Sequence, residues 1–208
     1  ADYVRLVVPA MTEGGTLPVL KHFPGYGNNA DTHTGIAVDE RPMETFETSD
    51  LLPFKAGIEA GAPFVLVSHN IVKCMDAELP ASLSPAVVTD LLRERMGFDG
   101  VVFTDDLTMG AVSNTYGMGE AAVLAVEAGC DVLLVCHGRD NLQAAYEALL
   151  DAVDSGRISQ QRLNESVYRI LTLKGEFDLN SAWVPAPDVD QLNAQLDELL
   201  AALDAAES

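Results

Sequence analysis

Four short apolar runs, each ending in polar side chains, constrain this chain more than any other feature. They are residues 16–23, 63–67, 100–103 and 131–135. All are rich in Val and Leu, and none alternates apolar with polar positions. Runs of that kind suit parallel strands that are covered on both faces. Between them lie stretches with apolar residues at helical spacing, each closed by glycine. Residues 2–13 end at Gly14-Gly15, 49–60 at Gly61, 84–96 at Gly97 and 119–128 at Gly129. Ser49-Asp50 and Ser84-Pro85 are read as helix N-terminal signals, with Ser as the cap and Pro in the first turn. Strand alternating with helix predicts an α/β fold with right-handed crossovers.

The two ends of the predicted strands differ. The C-terminal ends run into Lys21-His22, Ser68-His69-Asn70, Thr104-Asp105-Asp106 and Cys136-His137. The returns from helix to strand are terse, Gly-containing turns. This asymmetry predicts a (β/α)8 TIM-barrel type of fold, with its chemistry at the strand C-termini. A closed barrel takes about 250 residues and eight strands. Only four strands are countable in these 208 residues. The expectation is therefore the C-terminal half of a barrel over 1–175, followed by an acidic extension over 176–208. In that extension Val189, Leu192, Leu196, Leu199, Leu200 and Leu203 share one helical face. Half a barrel has open sheet edges, so self-association or pairing with a missing N-terminal half is expected.

Acids outnumber bases 32 to 12, for a formal net charge of -20. Nucleic acid and anionic membrane surfaces are repelled by such a chain. No apolar run approaches the roughly 20 residues of a membrane span. No secretory signal pattern is visible at the N-terminus, which leaves a cytoplasmic and a cell-surface or secreted location both open. The three cysteines, at 74, 130 and 136, are odd in number and read as buried thiols rather than a disulfide framework or a zinc site. The four histidines stand at no zinc-finger or metalloprotease spacing, so no metal is expected. Gly25-x-Gly27 is followed by no Gly-Lys-Ser/Thr, and no Gly-x-Ser-x-Gly elbow occurs. No cofactor is implied.

Neighbouring strand residues face opposite sides, so only one of Asp105 and Asp106 can point into a barrel mouth. That carboxylate is a candidate nucleophile or base, set against a role in fixing a loop. Asp31-Thr32-His33 pairs a group that titrates near neutral pH with a carboxylate able to orient it. Its loop, 25–35, is rich in glycine and is expected to be mobile. Lys21 and His22 suit hydrogen bonding to a polar ligand such as a sugar, though Lys21 also suits an ion pair. His69 and Asn70 are read as ligand contacts or as supports beneath them, and His137 as structural.

Several motifs stand in a fixed order. They are Lys21-His22-Phe23-Pro24-Gly25-Tyr26-Gly27, Asp31-x-His33, Ser68-His69-Asn70, Pro80-Ala81-Ser82-Leu83-Ser84, and Gly97-Phe98-Asp99-Gly100-Val101-Val102-Phe103-Thr104-Asp105-Asp106-Leu107-x-Met109. Together they resemble the family 3 glycoside hydrolases, specifically the β-N-acetylglucosaminidase branch, over most of residues 16–175. Tyr26 and Thr104 stand where His and Ser are more usual.

The resemblance implies removal of terminal β-linked N-acetylglucosamine, from cell-wall fragments or similar glycans, by a retaining double displacement. In that reading Asp105 is the nucleophile and His33, paired with Asp31, is the acid/base. Lys21, His22, His69 and Met109 hold the sugar. Phosphorolysis and the β-glucosidase branch are rival outcomes within the family. The resemblance also implies upstream strands carrying an Asp and an Arg of the sugar site. A half-barrel without them, folded but turning nothing over, is the alternative from another class.

Overall fold

The computed structural model describes residues 1–27, 35–177 and 186–206. It has two compact units, Ala1–Phe177 and Asp178–Ser208. The first is α/β. Helix α1 (Asp2–Glu13) leads to strand β1 (Val19–Phe23). Then come β2 (Val38–Asp39), a helical stretch, β3 (Phe64–Val67), β4 (Ile71–Val72) and a 3-10 turn, Ala81–Leu83. After these come the helix Ala86–Arg95, β5 (Val101–Asp106), the short α2 (Gly110–Ser113), α3 (Met118–Ala128) and β6 (Val132–Leu134). Helices α4 (Arg139–Asp154) and α5 (Gln160–Glu176) complete the unit.

Four strands form one parallel sheet in the order β1-β3-β5-β6. Phe64 to Val67 pair in register with Val101 to Thr104. The predicted strands and helices of this unit are all present, with ends shifted by a few residues. At its C-terminal end β5 runs three residues beyond the expected strand, through Thr104, Asp105 and Asp106. Its neighbour explains this: Asp106 pairs with Leu134 of β6, so sheet pairing overrides the polar side chains. The parallel pair β2-β4 was not expected from the sequence. Two-residue strands are too short to show any periodicity.

The sheet is covered by apolar side chains from the helices. Phe23, Val65, Val67, Val102, Leu83 and Leu92 are all buried. Each such side chain contributes roughly 1.5–3 kcal/mol by leaving water. Phe23 meets the ring of Phe54 edge-on at 5.1 Å. The glycine stops at 61, 97 and 129 all take positive φ, 84°, 69° and 117°, where a side chain is strained.

Three local expectations change. Ser49-Asp50 does not begin a helix. The helical stretch starts at Met43, behind Pro42, and runs through a π-wound segment, Phe46–Asp50, into Leu51–Glu59. Asp50 has helical dihedrals, and its carboxylate accepts from Arg41 instead of capping. Ser84 does start its helix, but through its carbonyl, which accepts from Val87 N and Val88 N. Its hydroxyl donates to Asp76 at 2.6 Å. The cysteines are free, but only Cys130 is buried, while Cys74 and Cys136 are exposed. Both exposed ones lie in loop positions just beyond strand ends, where an apolar flank does not imply burial.

The second unit contains helix α6 (Val189–Ala206). Its apolar stripe, Val189, Leu192, Leu196, Leu199, Leu200 and Leu203, is at least half exposed throughout. No described helix is long and apolar enough to cross a membrane.

Candidate active site

Because β1, β3, β5 and β6 are parallel, their C-terminal ends bring the polar strand termini to one edge of the sheet. That edge is where barrels of this kind place their chemistry. β1 contributes Lys21, which is exposed, and His22, which is half-buried. The His22 ring lies 5.6 Å from that of Tyr26, tilted against it. β5 contributes Asp105 and Asp106, whose side chains retain 21% and 14% exposure.

The two aspartates divide as pleating requires. Asp105 faces His22, with 3.9 Å between Oδ2 and Nε2. That is too long for a hydrogen bond, and it is a charge pair only when His22 is protonated. The other oxygen, Oδ1, accepts from Asp106 N at 2.9 Å. Asp106 turns instead to surrounding backbone. Its carboxylate accepts from Thr108 N at 3.0 Å, from Thr108 Oγ1 at 2.6 Å and from Cys136 N at 3.0 Å. Burial pushes the Asp106 carboxyl up, but these bonds, with His137 3.8 Å away, outweigh it and hold the group below its ordinary value. Asp106 is thus a fixed anion joining β5 to β6, while Asp105 stays partly exposed beside His22.

The remaining expected site residues are placed unequally. His69 is fully buried, and both ring nitrogens are engaged, Nδ1 with Ser82 Oγ at 2.7 Å and Nε2 with Asp106 O at 3.0 Å. This puts it beneath the open edge rather than at it, because β3 ends under the Ala81–Leu83 turn. Burial pushes its imidazole below the ordinary value, against the pull of the Asp106 carbonyl and of both carboxylates. Met109 is only 8% exposed and precedes α2, its backbone N bound to Asp106 O at 2.9 Å. Asp31 and His33, and with them most of the loop expected to be mobile, lie outside the described residues.

Sequence reasoning missed two groups that support the site. Arg41 bridges Asp39 and Asp50, with bonds of 2.8 to 3.1 Å, and lies over the Phe46 ring at 4.5 Å. This cluster stands against Gly25 and Gly27, where an added Cβ would come within 2.6 Å of Asp50 and 2.5 Å of Arg41. No motif spacing signals it, since its members come together only in the fold. The other is Ser82, whose hydroxyl meets His69; the Pro80-Ala81-Ser82-Leu83-Ser84 motif was the available signal. Among the described residues, no group of three or more His, Cys, Asp or Glu is placed to hold a metal.

The family model of the glycosyl hydrolase family 3 N-terminal domain matches residues 1–173. A curated β-hexosaminidase from Xylella fastidiosa (strain 9a5c) is 46% identical over 138 residues, 66% of this chain and 41% of that protein. A family 3 β-N-acetylglucosaminidase structure from Paenibacillus sp. str. FPU-7 superposes with a TM-score of 0.85 at 38% identity, covering 89% of this chain and 36% of that one. The β-N-acetylglucosaminidase from Thermotoga maritima gives 0.72 at 34% identity, covering 79% and 36%. The chain thus spans about two fifths of the length of the curated relatives it matches. Its four-stranded sheet is part of a TIM-barrel-type α/β fold. A family match over 173 of 208 residues, carrying the strand-end aspartate pair, means that the chain belongs to glycosyl hydrolase family 3.

Proposed function

We propose that this chain carries the nucleophile-bearing part of a β-N-acetylglucosaminidase that works by retaining double displacement. The single observation that carries the proposal is Asp105: a carboxylate at a strand C-terminus, partly exposed, one oxygen held by backbone and the other facing His22. A fixed but accessible carboxylate is what covalent catalysis at an anomeric carbon needs.

In the first step an oxygen of Asp105 bonds to the anomeric carbon as the bond to the leaving oxygen breaks. That oxygen takes a proton from the His33 imidazolium, which Asp31 orients. In the second step His33, now neutral, takes a proton from water. The water oxygen bonds to the anomeric carbon, and the bond to Asp105 breaks. A histidine suits this alternation because its ordinary pKa lies near neutrality. Lys21 and His22, together at the end of β1, hold sugar hydroxyls. Residues 1–175 form the catalytic part and 176–208 an acidic extension. β1 and β6 are the edges at which further strands would complete the mouth, from the rest of a longer polypeptide or from a second copy.

The test is release of a chromophore from an aryl β-N-acetylglucosaminide by the chain and by its Asp105→Asn variant. Loss of the bond-forming group is expected to lower turnover by a factor on the order of 10⁴. Turnover that survives in the variant overturns the role of Asp105. Absence of turnover in both means that the 208 residues lack groups the reaction needs.

A further inference from the structure

A buried seam of hydrogen bonds runs under the open edge from β3 to β5, and the mechanism above leaves it without a task. The turn Ala81–Leu83 is clipped onto the end of β3. Ala81 N donates to Asn70 O at 2.9 Å and Ser82 N to Ser68 O at 3.0 Å. These two bonds bracket His69. The Ser82 hydroxyl reaches His69 Nδ1, and His69 Nε2 reaches the Asp106 carbonyl oxygen.

The chemistry of the partners settles the protons. A carbonyl oxygen only accepts, so Nε2 carries the hydrogen. In a neutral ring Nδ1 is then an acceptor, and the Ser82 hydroxyl donates to it. Full burial favours that neutral form. The same Asp106 residue donates its N–H to Asp105 Oδ1. Its carboxylate is already occupied by Thr108 and Cys136 N. One residue is thereby held from three sides, and it in turn holds one oxygen of Asp105.

We propose that His69 is a positioning residue: as the Nε2–H tautomer, oriented by Ser82, it fixes the Asp106 backbone and so sets the direction in which Asp105 presents its carboxylate. The consequence for turnover rests on reading Asp105 as the nucleophile; the seam itself does not.

The first readout is NMR of the full chain labelled with ¹⁵N-histidine, in which only four rings need be resolved. At neutral pH His69 is expected with a protonated Nε2 and a bare, hydrogen-bonded Nδ1. In Ser82→Ala the shift caused by that bond is lost. A His69 ring protonated on Nδ1, or on both nitrogens, overturns the proposal. The second readout is the rate of carbodiimide labelling of Asp105 at fixed pH, followed by mass spectrometry with Asp99 as internal control. Ser82→Ala and His69→Ala should change the Asp105 labelling rate several-fold. His69→Gln, whose amide can donate to the same carbonyl, should lie closer to wild type than His69→Ala. An Asp105 labelling rate unchanged in Ser82→Ala also overturns the proposal, and that smaller substitution decides the matter if His69→Ala does not fold. Where turnover is measurable, kcat should fall several-fold in Ser82→Ala with little change in KM. A wild-type chain without turnover counts against the functional reading alone, since both readouts above remain decisive.

Discussion

Asp105 and Asp131 are the same residue type at opposite ends of adjacent strands, and they are treated in opposite ways. Asp131 sits just before β6, and its side chain is wholly buried. Arg93, Arg162 and Arg169 converge on it, the last two at 3.6 and 3.2 Å. Ser166 Oγ donates to it at 2.6 Å and Val102 N at 3.0 Å. These partners come from the helix Ala86–Arg95, from β5 and from α5, so one carboxylate ties three elements together. Asp105, at the far end of β5, has His22 at 3.9 Å and keeps a fifth of its side-chain surface. Asp131 thus carries charge that holds the fold, while Asp105 carries charge left partly exposed.

That contrast can be broken most directly by exchanging the consequences. Asp131→Ala leaves three guanidinium groups without their anion and should cost about 3–5 kcal/mol, read from the urea midpoint. Asp105→Asn, which keeps an oxygen for Asp106 N, should move the midpoint by less than about 0.5 kcal/mol. Equal shifts in the two variants would end the distinction.

Arg41 sharpens it. It lies near the active edge, yet pairs with Asp39 and Asp50, whose side chains are 2% and 9% exposed. Arg41→Ala removes the guanidinium shared by two nearly buried carboxylates. Because Arg41 itself is a third exposed, the expected loss is about 1–3 kcal/mol, between surface and buried pairs. A neutral outcome would show that this cluster belongs with the loosely held groups.

The smallest expected effect is in pH. His69 has its pKa lowered in the fold, so the unfolded chain binds more protons below the ordinary value of 6.5. Stability should therefore fall as pH drops through and below about 6.5, with the Asp106 carbonyl and the charges of Asp105 and Asp106 partly offsetting the loss. The urea midpoint followed from pH 7.5 to 5 should decline less steeply in His69→Gln than in wild type. Parallel slopes would remove His69 as the source.

The sequence made the sheet legible because its strands are covered on both faces and punctuated by glycine. It also made the Asp105/Asp106 division legible, since pleating alone assigns neighbouring residues to opposite sides. It could not show that Asp50 is taken by Arg41, nine residues earlier and on another element. Nor could it show that His69 lies under a turn, because the covering residues, Ala81 to Leu83, come more than ten positions later. Both failures have one cause. A polar residue beside a helix start or strand end has several ways to be satisfied, and only the folded neighbourhood selects among them.

Thr104 gives the fold a rule of replacement. Its side chain is buried, and its hydroxyl oxygen accepts Leu134 N at 3.1 Å, binding β5 to the strand beside it. What the position demands is an oxygen at the β-carbon, which Ser and Thr share, while Val, equal in shape, would silence a backbone donor inside the sheet. The methyl group is a freedom of drift; the hydroxyl is a fixed letter.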